Sequence, residues 1–197
     1  MIAVLCFALV DVVKLVPDLQ VELKYSTTDN FMGRDVYGDV TACRLQEDAA
    51  RKLARAQELL RRARPDLRLR AYDCARPFHV QKEMWKLVKG TPKAPYVADP
   101  KVGSIHNHGC AIDLTLSTKE GRPLDLGTPY DHFGREAHVD GEVALFEAGK
   151  LTADQWANRL LLREVMVRAG MRPLANEWWH FDCAPRPEAV KKYPRIP

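Results

Sequence analysis

Three short segments carry side chains whose types and spacing suit hydrolytic chemistry. The first is Ser104-Ile-His106-Asn-His108-Gly109-Cys110-Ala-Ile-Asp113, which runs into an alternating apolar stretch. If a strand starts at Cys110, then Cys110, Ile112, Leu114 and Leu116 point to one face, toward a core. Ala111, Asp113 and Thr115 point to the other. Asp113 then projects from a row of small side chains with room beside it for an ion, and Gly109 permits a tight turn that brings His106 back toward it. A neutral imidazole and a carboxylate suit zinc, one ligand short of the three a catalytic site uses. The second segment, Glu177-Trp-Trp-His180-Phe, offers His180 as the third ligand. Glu177, at the entry of the same aromatic strand, can take a proton from a metal-activated water and pass it to a leaving amine. The third, Tyr72-Asp73-Cys-Ala-Arg76-Pro77, sets a guanidinium at a strand-to-helix junction, where two parallel N–H groups can serve a developing oxyanion. The spacing is not that of an HExxH helix, so the metal would be assembled across strands.

Each of these residues has a plainer reading on its own. His180 beside two tryptophans reads as a structural histidine, Asp113 as a ladder acceptor, Arg76 as a salt-bridge partner and Glu177 as a solvated carboxylate. Their joint order and spacing favour a site. His79, His132 and His138 lie on a helix surface or in polar stretches and read as non-ligands, and Trp178 and Trp179 read as core and pocket wall. The Arg61-Arg62-Ala-Arg64 cluster reads as a solvated helix end favoured by the helix dipole.

The elements that must position these residues alternate between helical and strand periods. Val10–Val16 and Val21–Tyr25 read as short β-segments, and Ser26–Gly38 as an ordered loop. Ala49, Leu53, Ala56, Leu59 and Leu60 recur at helical spacing and predict a helix over Glu47–Ala63, with Pro65 as its stop. Leu67–Tyr72 alternates like a strand. A second helix opens at Pro77 and ends near Gly90. After the loop Lys93–Gly103 comes the strand Cys110–Leu116, and then the loop Gly121–Gly134. Helices follow at Val143–Ala148 and Ala153–Ala169, and Glu177–Cys183 forms a final strand. Helices packed on a mostly antiparallel sheet, a single α+β domain, is the expected architecture.

The chain has 197 residues, 46% of them apolar and 28% charged, with 30 basic against 26 acidic side chains. One domain with a proper core fits that length, and a net charge of +4 without a basic block gives no nucleic-acid footprint. Residues 1–10 are almost wholly apolar and too short to span a bilayer, which takes about 20 residues. They read as a clipped or degenerate export signal, or as a buried strand or docked terminus preceding the domain at 11–197, so cytoplasm and periplasm both stay open. Cys6, Cys43, Cys74, Cys110 and Cys183 show no CxxC pair and read as ordinary buried thiols, with one bridge available to an exported protein.

Ser-x-His-x-x-Gly-x-Ala-x-Asp, Glu-Trp-Trp-His and Asp-x-x-Arg-Pro together resemble the bacterial D-alanyl-D-alanine dipeptidases (VanX type). These zinc enzymes share a fold with D-Ala-D-Ala carboxypeptidases and the Hedgehog signalling domain. The similarity takes in Leu23-Lys-Tyr25, Asp29-Asn30-Phe31-x-Gly33, Ile112–Leu116 and Gly127-Thr-Pro-Tyr-Asp131, and spans about Asp11 to Phe181. It implies one zinc on His106, Asp113 and His180, Glu177 as general base and then acid, and Arg76 as transition-state stabiliser. It also implies that Ser104, Asp131, Tyr25 and Asp73 lie in or near a pocket for a small D-dipeptide, with Asp131 for the ammonium. His108, two residues from His106, is an alternative ligand, and Cys74-Ala75 stands where the family commonly has an aromatic before the arginine. On this reading, removing Glu177 abolishes turnover and leaves zinc bound. The rival readings are a peptidoglycan stem-peptide carboxypeptidase or endopeptidase with an open groove, and a catalytically silent zinc-stabilised binding module. Loops at Ser26–Gly38 and Gly121–Gly134 count against the first, and Glu177 with Arg76 against the second.

Overall fold

The structure is a computed structural model that describes residues 9–197, so the apolar segment 1–8, with Cys6, lies outside the described residues. In chain order the elements are β1 (Val10–Asp11), β2 (Gln20–Val21), β3 (Arg44–Leu45), α1 (Glu47–Ala63), β4 (Leu67–Asp73), α2 (Phe78–Val88), β5 (Ala111–Thr118), α3 (Glu142–Glu147), α4 (Ala153–Arg168), β6 (Arg172–Leu174), β7 (Glu177–Asp182) and α5 (Arg186–Lys192). The fold is α+β. Its main sheet has the strand order β2-β4-β5-β7-β6, in which β2 pairs parallel to β4 and the other three pairings are antiparallel. A two-stranded ribbon, β1 with β3, stands apart.

Helix α1 has the boundaries its periodicity predicts, because Ala49, Leu53, Ala56 and Leu60 form one buried stripe. Gln57 interrupts that stripe. It is buried, and its Oε1 accepts the backbone N–H of Leu69, so the helix is tied to β4 as well as packed on it. Helix α4 starts at a reciprocal capping box, Thr152 with Gln155. Strand β5 sits at the centre, and Ala111 to Ser117 are all buried. The alternation predicts a half-buried strand; loops cover its second face, and Asp113 is buried there rather than exposed.

Several elements differ from the sequence reading. The first two β-segments shorten to two residues each, because 3-10 turns at Val12–Lys14 and Lys24–Ser26 take over their ends. Strands β3 and β6 and helix α5 were not foreseen. They are short, and Pro173 lies in β6 while Pro185 and Pro187 flank the start of α5, so periodicity had too few residues to act on.

The cysteines require a correction. Instead of ordinary thiols, Cys43 is bonded to Cys74 and Cys110 to Cys183. The second bridge extends the β5–β7 ladder, where Cys183 N–H donates to the Cys110 carbonyl. The bridges close sequence separations of 31 and 73 residues, for which loop-closure entropy gives about 3–5 kcal/mol each. Reduction, or serine at both positions of one pair, is therefore expected to lower the melting temperature by roughly 10 °C per bridge. An unchanged melt in both double-serine variants would show that the bridges do not contribute to stability.

Candidate active site

Strands β5 and β7 place Asp113 directly across from His180 in the antiparallel register, so their side chains share one face. The third group arrives from a 3-10 turn, Ile105–His108, capped by Ser104: Asn107 Oδ1 accepts the Ser104 N–H and Ser104 Oγ accepts the His106 N–H. Gly109 ends the turn at φ +65°, and a Cβ there would lie 2.5 Å from Leu9, so both conformation and space call for glycine. The result is convergence. His106 Nε2 is 3.1 Å from Asp113 Oδ1 and 3.2 Å from His180 Nδ1, and that Nδ1 is 2.9 Å from Asp113 Oδ1.

The opposite ring nitrogens fix which atoms converge. His106 Nδ1 donates to the Cys74 carbonyl at 2.8 Å, and His180 Nε2 lies 2.9 Å from Asp182 Oδ1. Both arrangements leave a lone pair on the inward nitrogen. Two imidazole lone pairs and a carboxylate oxygen that face one another need a proton or a cation between them, and two nitrogens with one oxygen form a zinc-type donor set. His108 is not among them. It neither joins the converging donor atoms nor lines the cavity, and its Nδ1 bonds the Tyr193 carbonyl at 2.8 Å.

Arg76 faces Asp113 from the β4–α2 junction, with its Nη2 3.9 Å from Asp113 Oδ2. Asp73 takes its Nε and Nη2 at 2.9 and 2.5 Å, and Gln81 Oε1 takes Nη1 at 2.9 Å. Asp73 stands next to the pocket rather than in its lining: it is wholly buried behind Arg76, is also bonded by the Tyr37 hydroxyl, and holds the guanidinium. Ser104, Tyr25 and Asp131 do line it, together with Glu177. The Tyr25 hydroxyl lies 3.0 and 3.1 Å from the two Asp131 oxygens, and the Phe31 N–H approaches one of them at 3.4 Å. Asp131 holds φ +60°, a left-handed conformation that aspartate tolerates better than most residues.

The cavity measures about 250 Å³, smaller than the roughly 300–1,000 Å³ of sites for drug-sized ligands. Phe31 and Phe133 meet edge to face at 5.1 Å and Tyr96 packs on Phe133 at 5.4 Å, so aromatic rings from three loops wall its mouth. Four carboxylates (Asp113, Asp131, Glu177 and Asp182) line it against two guanidiniums, Arg76 and Arg186. Burial, then the Asp113 charge, pushes Asp131 up to about 8. Burial likewise raises Glu177 to about 7, against the pull of His180. Burial works against a charged His180, but Asp182 and Asp113 outweigh it and hold its pKa well above the ordinary imidazole range.

These shifts give metal-free protein a signed pH dependence. The native state keeps protons on Asp131 and Glu177 between an unfolded pKa of about 4 and the folded values, where the unfolded chain has lost them. His180 acts in the same direction above about 6.5. Stability therefore falls as pH rises, and the melt is expected about 5–10 °C lower at pH 8 than at pH 5.5. A flat or rising melting temperature over that window would mean the carboxylates ionise normally.

Three residues that serve the site were not singled out from sequence. The Tyr130 hydroxyl donates to Asp113 Oδ2 at 2.8 Å, Gln81 holds Arg76, and Asp182 holds His180. Only Asp182 had a local signal: it lies two residues from His180 on one strand, hence on the same face.

Residues 6–196 match the family model described as Peptidase_M15, D-ala-D-ala dipeptidase. The chain is 36% identical over 188 residues to the D-alanyl-D-alanine dipeptidase of Escherichia coli K12, covering 95% of this chain and 89% of that protein. It is 31% identical to the protein of that name from Streptomyces coelicolor, over 95% of this chain and 97% of the relative. With the one from Enterococcus faecium it shares 27% identity over 88% and 90% of the two chains.

Proposed function

The chain belongs to the D-Ala-D-Ala dipeptidase family, Peptidase_M15, and from that premise we propose that it hydrolyses D-Ala-D-Ala to two D-alanines on zinc held by His106, Asp113 and His180. The observation that carries the proposal is the convergence of those three donors beside Glu177 and Arg76 in a small cavity walled by aromatic rings. Zinc bound there would supply a Lewis acid that polarises the scissile carbonyl and acidifies a water.

The protein's own groups do the rest. Glu177 Oε2 lies 3.9 Å from His180 Nδ1, within reach of a water at the donor cluster. Its carboxylate can take the attacking water's proton and return it to the departing amine as the C–N bond breaks. Arg76, held in plane by Asp73 and Gln81, donates to the carbonyl oxygen as that oxygen gains charge. Asp131, oriented by Tyr25, takes the substrate ammonium; a cation beside it favours the ionised carboxylate. Ser104 lines the same cavity beside His106. The small volume of this cavity and the aromatic rings that line it support a dipeptide over a stem peptide. The sheet, with three antiparallel pairings of four, suits the Hedgehog-like fold of this family. Two disulfides favour an oxidising compartment such as the periplasm, and no helix among the described residues is long and apolar enough to cross a membrane.

The test measures D-alanine release from D-Ala-D-Ala and from N-acetyl-D-Ala-D-Ala, with and without chelator. Chelator-sensitive cleavage of the free dipeptide alone is expected. Equal cleavage of the blocked substrate would contradict the role of Asp131 and point to a stem-peptide carboxypeptidase.

A further inference from the structure

Arg159, on α4, is a guanidinium whose side chain is wholly buried away from the reacting centre. Its Nε donates to the Leu126 carbonyl at 2.7 Å and its Nη2 to the Glu136 carbonyl at 2.9 Å. Those carbonyls bracket the segment that carries Tyr130 to Asp113, Asp131 to the cavity and Phe133 to the mouth. The segment runs flush against α4 where it begins. Asn158 Nδ2 donates to the Asp125 carbonyl at 2.9 Å, and a Cβ on Gly127, at φ +88°, would come within 2.5 Å of Leu151.

Packing alone does not account for an arginine here, since burying a guanidinium is costly and an apolar side chain would fill the space at lower cost. Charge pairing accounts for it only in part. The nearby carboxylate of Glu142, 3.8 Å from Arg159 Nη1, is already held bidentately by Arg163 at 3.0 and 2.7 Å. Among the described residues, Arg159 is the side chain that ties both ends of this loop to one rigid fork.

We propose that Arg159 is a positioning residue for substrate binding: by clamping the carbonyls of Leu126 and Glu136 it fixes the 126–136 loop and so places the Asp131 carboxylate where the dipeptide's ammonium must sit. The inference rests on the reading of Asp131 given above. A displacement of about 1 Å in a substrate-positioning group can cost up to roughly 100-fold, so the loop ends matter although neither touches substrate.

The test uses Arg159→Met, Arg159→Lys, Asp131→Asn and the Arg159→Met/Asp131→Asn double variant, each checked for a cooperative melt and for metal content. Arg159→Met is expected to raise KM for D-Ala-D-Ala about tenfold or more with kcat changed less than about threefold, and Arg159→Lys to fall between it and the parent. Asp131→Asn should cost KM about tenfold or more in the parent but less than about threefold in Arg159→Met, because the loop is already misplaced. Amides in 127–135 should exchange faster in Arg159→Met while those of β5 do not change. A KM within twofold of the parent, full additivity with Asp131→Asn, or unchanged loop exchange overturns the proposal. If Arg159→Met does not fold, Arg159→Lys carries the same comparisons. If Asp131→Asn alone leaves KM unchanged, the ammonium assignment falls; loop exchange in the Arg159 variants then decides the clamp by itself.

Discussion

Replacing Glu177 with glutamine is expected to lower kcat by roughly 10³-fold or more and leave one metal ion bound per chain. General-base catalysis contributes about 10²–10⁴-fold by itself, and this residue would serve twice, first as base and then as acid. Glutamine keeps the volume and the hydrogen-bonding reach but cannot accept the proton. Metal retention is the sharper half of the expectation, because the three donors that converge within about 3 Å are His106, Asp113 and His180, and Glu177 is not among them. Kinetics with parallel elemental analysis would decide it. A variant that turns over at near-parental rate removes Glu177 from the chemistry. One that loses its metal makes Glu177 a ligand.

The position of Glu177 shows what the sequence could and could not say. Residues three apart on a regular strand face opposite sides, so alternation alone would put Glu177 and His180 on different faces. The β6–β7 ladder breaks between Pro173, which pairs with Phe181, and Leu174, which pairs with Glu177. That irregularity lets both side chains reach one cavity, and only the motif Glu-Trp-Trp-His hinted at it. Elements long enough for several periods were legible: α1 from its leucine and alanine stripe, β4 from Leu-Arg-Leu-Arg, α4 up to its stop at Gly170. The strands of two or three residues were not. The disulfide partners were hidden for a different reason, since pairing Cys110 with Cys183 depends on the β5–β7 register and pairing Cys43 with Cys74 on the approach of β3 to the end of β4. Tyr130 and Arg159 are likewise distant in sequence from what they hold, and Gln81, five residues from Arg76, carries no local mark of its role. Asp73 sat in a legible motif, Asp-x-x-Arg, but spacing does not tell a group that touches substrate from one that holds the group that does.

That distinction makes Arg76 the most informative second target. A guanidinium offers five N–H donors. Asp73 occupies one on Nε and one on Nη2, and Gln81 one on Nη1; one N–H on each terminal nitrogen is left over. Tyr25 lies against the plane at 5.3 Å. The fork is therefore fixed before substrate arrives, as oxyanion stabilisation requires. Arg76→Met is expected to lower kcat by about 10²–10³-fold, and Arg76→Lys to recover little of it, since one ammonium cannot satisfy Asp73 and Gln81 and still present two donors. The same change strips Asp73 of its cation inside the fold. It leaves that carboxylate with the Tyr37 hydroxyl and the Cys74 N–H as hydrogen-bond donors and with His106 Nδ1 3.6 Å away, at a cost to stability of about 3–5 kcal/mol. Loss of rate could then be mistaken for loss of fold. Arg76→Met combined with Asp73→Asn separates the two: removing both charges should return much of the lost stability and none of the lost rate. If the double variant regains activity with its stability, Arg76 matters only as the partner of Asp73, and the oxyanion must be held by another group.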